Sequence, residues 1–168
     1  RHGRRMSDTP PAHAPTIRVT AMPADSNPYG DIFGGWLMGQ MDLAAGSVAS
    51  RHCGGRAVTI AVEAMKFHRP VFVGDELSVY ARLVATGNTS MTIEVEAWRR
   101  GRHSDEAYRV TQARFVFVAI GEDRQPRRVP AMSPIPVPTM SPTPTATRAA
   151  SSDWEAPWTT RAKTSRPV

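Results

Sequence analysis

The fold of this chain depends on residues Asn27–Arg51, which read NPYGDIFGGWLMGQMDLAAGSVASR. The stretch opens with turn-forming residues and passes through Gly34-Gly35 into a helix-length run with few polar side chains. The large apolar residues of this run surround the whole helical circumference: Trp36, Leu37, Met38, Met41, Leu43 and Val48. This distribution predicts a helix buried on every side rather than along one stripe.

Asp42 is the one carboxylate of the helical run. Its neighbours three and four positions away are Met38, Gly39, Ala45 and Gly46, and three of these four are small. The acid is therefore expected in a notch that another chain or a ligand can approach. An ionised carboxylate is costly to bury without a partner. From the helix alone, a structural role and a catalytic role for Asp42 are equally supported.

The length of 168 residues and the hydrophobic content of 40% predict one globular domain with a real core. No segment has the continuous apolar length of a membrane span, and the N-terminal residues lack the apolar h-region of a secretory signal. The single cysteine, Cys53, excludes an internal disulfide framework and fits a reducing compartment. We therefore expect a cytoplasmic protein without membrane insertion.

The net charge of +6 lies mostly outside residues 17–130. A nucleic-acid-binding domain carries its basic residues on folded elements, so we expect no nucleic-acid partner. Residues 131–168 are rich in Pro, Ser and Thr and predict a disordered tail, as do residues 1–15. The folded domain is expected at 16–130.

Period-two alternation and β-branched residues predict five strands. They are Ile17–Met22, Val58–Phe67, Leu77–Ala85, the run from Met91 to Trp98, and Tyr108–Ile120. The third and fourth strands are joined by a short Gly-containing link and form a hairpin with one buried face. The expected fold is α+β, an antiparallel sheet curled around one long central helix. Since one sheet cannot cover every side of a helix, we expect a second copy of the chain to cover the rest.

Three segments carry a family resemblance: MPADSNPYGDIFGGWLMGQMD from Met22, RPVFVGDELSVYARL from Arg69 and GNTSMTIEVEAW from Gly87. Together they resemble the hotdog-fold acyl-CoA thioesterases, most closely the YciA-like branch, from about Met22 to Pro130. The resemblance implies a sheet wrapped around a central helix and dimers with paired sheets, often assembled as trimers of dimers. It also implies hydrolysis of acyl-CoA.

The resemblance assigns roles to several residues. Asp42 matches the helix carboxylate that acts as general base or nucleophile. Asn27 matches a polar residue contributed across the dimer interface, where it helps to position water or substrate. The backbone N–H groups of Gly34 and Gly35 match the helix N-terminus that faces the thioester oxygen.

A second group of residues matches the part of the family that lies near the CoA phosphates. The resemblance places the turn formed by Gly87, Asn88, Thr89 and Ser90 there. Many relatives carry Arg where this chain has Asn88, and this departure affects nucleotide affinity rather than chemistry. Arg69 is a further candidate for a phosphate contact.

The chemistry itself favours a site shared by two chains. Exposed N–H groups at a helix start form an oxyanion site without side chains. Asp42 lies seven residues beyond Gly35, which is on the order of 10 Å along a helix. Because that distance is too long for both to reach one carbonyl carbon, a twofold interface must bring Asp42 of one chain to the glycines of the other. Whether Asp42 activates water or attacks the thioester directly is left open.

Simpler roles remain for several candidates. Asp31 is a second catalytic candidate, but an acid just before a helix is more often an N-cap or first-turn residue. Asn27, before Pro28, is a turn residue by default. Gly34 and Gly35 can serve close packing alone.

No metal or redox cofactor is expected, because His52, His68 and His103 have no metal-ligand spacing with Cys53. The leading prediction is an acyl-CoA thioesterase. The alternative is a non-catalytic acyl-CoA-binding or sensing protein on the same scaffold. A hydratase would need a histidine near the helix acid, and none occurs between Arg18 and Arg51.

Overall fold

A computed structural model of the chain describes residues 9–133. Residues 1–8 and 134–168 lie outside the described part, so most of the two predicted tails remains a prediction. The elements in chain order are β1 (Ile17–Thr20), a short 3-10 helix (Pro23–Asp25), α1 (Gly34–Cys53), β2 (Ala57–Phe67), β3 (Glu76–Thr86), β4 (Ser90–Arg100) and β5 (Ala107–Ala119). All five predicted strands and the predicted helix are present.

The five strands form one sheet in the order β1-β3-β4-β5-β2, with every neighbouring pair antiparallel. The helix α1 contacts β2, β3, β4 and β5. This arrangement confirms the expected α+β fold, with one long helix against an antiparallel sheet. Within residues 9–133 the structure has no helix with the length and apolar character of a membrane span.

Two glycines, Gly54 and Gly55, follow α1 in the sequence and are typical of a helix C-cap, and the helix ends there. Gly54 adopts the left-handed conformation, with φ 63° and ψ 31°, and its N–H donates to the Ser50 carbonyl. A side chain is strained in this conformation, so glycine is the favoured residue there. The N–H of Gly55 reaches the same carbonyl at 3.1 Å.

Only one side of α1 is buried within a single chain. The buried residues lie along one stripe of the helix, mostly three or four positions apart: Leu37, Met41, Ala44, Ala45, Ala49 and Cys53. On the remaining surface of the helix, Met38 is 38% exposed and Leu43 is 62% exposed. The burial on all sides predicted from the sequence is therefore not reached within residues 9–133 of one copy.

The hairpin of β3 and β4 forms the regular part of the core. The predicted inward face of β4 is fully buried, with Met91, Ile93, Val95 and Ala97 at 0% exposure. On the outward face, Arg82 and Glu94 form an ion pair across the two strands. Trp98 alternates with these residues along β4, a pattern that predicts an outward side chain. It is nevertheless buried, and the Arg109 guanidinium covers its ring at 5.6 Å.

The edge strand β2 differs from β4 in being exposed on both faces. It pairs only with β5, and its register slips between Thr59 and Ala61 and again between Glu63 and Lys66. Ala64 within the second irregularity has a positive φ of 54°. Nothing within residues 9–133 covers the free edge and the exposed apolar side chains of β2.

The segment after β5 turns back and packs along the end of α1. The Arg127 N–H donates to the Ala119 carbonyl, and the Val129 N–H donates to the Asn88 carbonyl, each at 2.9 Å. The Arg127 guanidinium donates from Nη2 to the Cys53 carbonyl at 2.8 Å and from Nε to the Ile120 carbonyl at 3.3 Å. Arg127 thus places positive charge at the negative end of the helix dipole.

We expect Arg127→Ala to lower the free energy of unfolding by about 2 kcal/mol, because two carbonyl groups and a helix terminus lose their cationic partner. Urea unfolding followed by circular dichroism measures this change. The matched control is Arg102→Ala, in the exposed loop between β4 and β5, which should cost less than about 0.5 kcal/mol. Equal stability of the two variants would contradict the role given to Arg127.

Candidate active site

The loop before α1 is organised by the side chain of Asn27. Its Oδ1 accepts hydrogen bonds from the N–H groups of Tyr29 at 2.9 Å and Asp31 at 3.1 Å. The Asn27 N–H in turn donates to the Asp31 carbonyl at 2.6 Å. Because the amide oxygen is occupied, the amino group of Asn27 is the part left to act as a donor. Among residues 9–133 it has no acceptor.

The start of α1 is uncapped. Phe33 is the N-cap residue and provides no side-chain hydrogen bond, and its own N–H donates to the Asp25 carbonyl at 3.1 Å. The first intrahelical bond runs from Leu37 to Phe33 at 3.3 Å. The N–H groups of Gly34, Gly35 and Trp36 are therefore without an acceptor in the described part of the chain, as the first turn of a helix requires.

The two glycines at the helix start have different surroundings. A Cβ on Gly34 would lie 3.4 Å from the ring of Phe67, so this glycine allows the ring to pack on the backbone. A Cβ on Gly35 would meet nothing within 4 Å. The helix N-terminus thus has an aromatic wall on one side and open space on the other, which suits a developing negative charge on a substrate.

The interpretation of Asp31 as an N-cap or first-turn acid is wrong. The helix begins at Gly34, and its first turn contains no acidic residue. Asp31 instead pairs through its main chain with Phe72 in an isolated β-bridge and with Asn27. Asp31 therefore contributes to the loop before the helix through its main chain.

Asp42 is half-buried at the middle of α1. The hydroxyl of Thr59 on β2 donates to its Oδ1 at 2.5 Å. Sequence reasoning missed Thr59, since the contact depends on how α1 lies over β2 and no local pattern marks it. The helix surface beside the carboxylate is open, because a Cβ on Gly39 would also meet nothing within 4 Å.

A single chain does not assemble these groups at one point. No hydrogen bond joins Asp42 to Asn27, Gly34 or Gly35 within residues 9–133. Asp42 lies two helical turns from Gly35, on the order of 10 Å. The structure therefore places the uncapped N–H groups at one end of the helix and the carboxylate at its middle.

The residues expected near CoA phosphates fall into two separate places. The turn from Gly87 to Ser90 follows β3, and the Thr89 carbonyl accepts from Ala119 at the end of β5. Arg69 follows β2 at the opposite end of the sheet, since Phe67 pairs with Thr111. Ten residues of strand separate the two ends, which is on the order of 30 Å. One chain cannot bring both to the same phosphate.

Arg69 lies in a stack of alternating cations and rings. Its guanidinium is 4.9 Å from the Tyr108 ring, and Arg99 approaches the same ring at 5.5 Å. A hydrogen bond to the Glu106 carboxylate raises the pKa of Tyr108 above its ordinary value. Arg99 also bonds to Asp75 at 3.1 Å. These contacts give Arg69 a packing role that the sequence did not reveal.

Titratable side chains do not gather into a metal-binding group in the described part of the chain. No three residues of the types His, Cys, Asp and Glu lie close enough together to hold an ion. The thiol of Cys53 is free and buried, and it faces the carbonyl groups that follow the helix end.

Known proteins are similar to this chain in sequence and in fold. Residues 29–105 match the model of the thioesterase superfamily. An uncharacterized acyl-CoA thioester hydrolase of Zymomonas mobilis is 58% identical over 123 residues, covering 73% of this chain and 83% of that protein. The acyl-CoA thioester hydrolase YciA of Salmonella typhimurium is 45% identical, covering 74% of this chain and 96% of its own.

A solved structure gives the same result. The hexameric thioesterase y2039 of Yersinia pestis superposes with a TM-score of 0.69 at 43% identity, covering 73% of this chain and 99% of its own. The similarity to this solved structure thus extends over most of this chain in both sequence and fold. The chain belongs to the hotdog-fold thioesterase superfamily, in the branch of the YciA-like acyl-CoA thioester hydrolases.

Proposed function

We propose that this protein hydrolyses acyl-CoA to the free acid and CoA, as the names of its relatives say of them. The observation that carries the proposal is Asp42, the only acid of α1, held by Thr59 and open on its glycine side. A half-buried carboxylate beside open space is a group that can accept a proton from a bound water. No metal or redox cofactor takes part in the proposed reaction.

The proposed reaction uses two sets of groups. The N–H donors of Gly34 and Gly35 hold the oxygen of the thioester as it becomes negative. Asp42 takes a proton from water as the water oxygen attacks the carbonyl carbon. The C–S bond then breaks, and the proton passes from Asp42 to the departing thiolate of CoA. Direct attack by Asp42, giving an anhydride that water opens, uses the same two groups.

The two sets come from different chains of a homodimer in this proposal. The exposed apolar residues support it, since Val58, Ile60 and Val62 on β2 are 41%, 57% and 38% exposed and lie at a free sheet edge. A free edge and an apolar patch are both features that a second copy can cover. A twofold axis brings the same surface of both chains together, so β2 of one chain would pair with β2 of the other in antiparallel fashion.

We propose a register for this pair that agrees with the contacts of β2 within each chain. An antiparallel pair centred near Glu63 would set Thr59 of one chain opposite Phe67 of the other. Within each chain Thr59 bonds to Asp42, while the Phe67 ring lies against Gly34. This register therefore brings Asp42 beside the partner's helix start, where the oxyanion donors and Asn27 are. The same pairing places Arg69 of one chain at the end of the dimer that holds the Gly87–Ser90 turn of the other.

We extend the proposal to a trimer of dimers, because y2039 is hexameric. A cytoplasmic location belongs to the same proposal and fits a protein whose buried Cys53 is a free thiol. Six arginines of the described residues are in ion pairs with carboxylates, which favours the absence of a nucleic-acid partner.

Asp42→Asn should lower kcat/KM for acyl-CoA by roughly a thousandfold, because the amide cannot accept the proton of water. Release of free thiol from a panel of acyl-CoA substrates measures the change. The control is Asp31→Asn, which removes a carboxylate of the loop before α1 and should keep most of the activity.

The outcome also separates the two candidate functions. A folded Asp42→Asn variant with wild-type turnover would contradict the mechanism. Binding of acyl-CoA by the wild-type protein without any thiol release would instead indicate the non-catalytic acyl-CoA-binding alternative.

Asn27→Ala should also cut turnover strongly, and mixing it with Asp42→Asn should restore activity. A heterodimer of the two variants contains one site with both native groups and one site with neither. Random exchange of chains makes half of the dimers mixed, so about one quarter of the wild-type activity should return. Coexpression of the two variants, compared with each variant alone, measures this. Absence of any recovery in verified heterodimers would show that Asp42 and Asn27 act within one chain.

A further inference from the structure

A cavity of about 650 Å³ lies beside the turn between β3 and β4. Its walls come from two segments that are far apart in the sequence: Thr86, Gly87 and Asn88 on one side, and Arg128, Val129 and Ala131 on the other. Backbone contacts hold these walls together, because the Val129 N–H donates to the Asn88 carbonyl at 2.9 Å. The turn is also closed on itself by a bond from Gly87 to the Ser90 carbonyl at 2.8 Å. The cavity is therefore built from ordered backbone.

Arg128 is the cation of this cavity, and it differs from its neighbour Arg127. The Arg127 guanidinium is directed to the end of α1, where it bonds to the Cys53 carbonyl. Arg128 is exposed, and no carboxylate within residues 9–133 pairs with it. A guanidinium without an internal partner, beside the polar side chains of Thr86 and Asn88, suits a phosphate group.

The register of the sheet places this cavity at a useful distance from Asp42. Thr59, which bonds to Asp42, pairs with Phe117, and Phe117 pairs with Met91. Two strand spacings across the sheet and about three residues along it separate Thr59 from the turn, which is on the order of 15 Å. An extended pantetheine arm, which joins the thioester of CoA to its phosphates, has a reach of the same order.

The turn itself has no basic residue, since Gly87, Asn88, Thr89 and Ser90 are all uncharged. We propose that Arg128, from the segment that follows β5, binds a phosphate of the CoA nucleotide at this cavity. The inference rests on the proposed function, because that function defines a substrate with phosphates at the end of a pantetheine arm. Arg128 contributes to substrate affinity and takes no part in bond breaking.

The test compares Arg128→Gln with the wild-type protein on an acyl-CoA and on the matching acyl-pantetheine, which lacks the nucleotide. We expect KM for acyl-CoA to rise about tenfold, because a charge-assisted hydrogen bond to phosphate is lost, with kcat nearly unchanged. KM for acyl-pantetheine should be the same for both proteins. Arg128→Lys should retain much of the affinity, since it keeps the positive charge.

A control variant and a third substrate sharpen the comparison. Arg56→Gln removes another exposed arginine that does not line the cavity, and its KM for acyl-CoA should stay at the wild-type value. A thioester of dephospho-CoA then tells which phosphate is bound. If the wild-type protein and Arg128→Gln have equal KM values for this substrate, Arg128 binds the 3′-phosphate. If their KM values still differ, Arg128 binds the diphosphate.

Two results would overturn the inference: an unchanged KM for acyl-CoA in Arg128→Gln, or an equal rise in KM on acyl-CoA and acyl-pantetheine. Failure of the proposed function has a different signature, namely no thiol release by the wild-type protein from any acyl-CoA. In that case the Kd of CoA itself, measured by calorimetry, decides the role of Arg128. Equal Kd values for the wild-type protein and Arg128→Gln would then contradict it.

Discussion

One sheet covers only one side of one helix, and the rest of the molecule follows from this constraint. The buried stripe of α1 packs on β2 to β5, whereas Leu43 on the remaining surface is 62% exposed. The free edge of β2 adds further exposed apolar side chains. Exposure of a large apolar surface to water is unfavourable, so we expect other apolar groups to cover this surface of residues 9–133. A second copy completes it in our proposal, and in doing so completes the active site.

The candidate catalytic groups share this dependence on a second chain. The N–H donors lie at the start of α1, and Asp42 lies at its middle, tied to β2 by Thr59. Their separation along one rigid helix cannot change without unwinding it. In our proposal, an antiparallel pair of β2 strands solves this geometric problem without any movement within either chain. The apolar surface proposed to stabilise the dimer and the polar groups proposed to act on the substrate would then be parts of one interface.

Much of the fold could be predicted because its signals are local. The alternation in β3 and β4, the apolar run of α1 and the C-cap glycine Gly54 each express a short-range preference of the backbone or side chains. Features that depend on contacts across the fold could not be predicted. The burial of Trp98 depends on Arg109 from the next strand, and the partner of Asp42 is a threonine on β2. The position of Arg128 is likewise set by a segment that folds back to the β3–β4 turn.

The most direct test of a site completed by two chains is the activity of a monomer. Ile60→Asp places a charge on an exposed residue of β2, so the isolated chain should keep its fold while the dimer is lost. Sedimentation analysis and thiol release on the same sample measure assembly and activity together. We predict folded monomers without hydrolysis of acyl-CoA. Folded monomers that hydrolyse acyl-CoA at the wild-type rate would contradict the account.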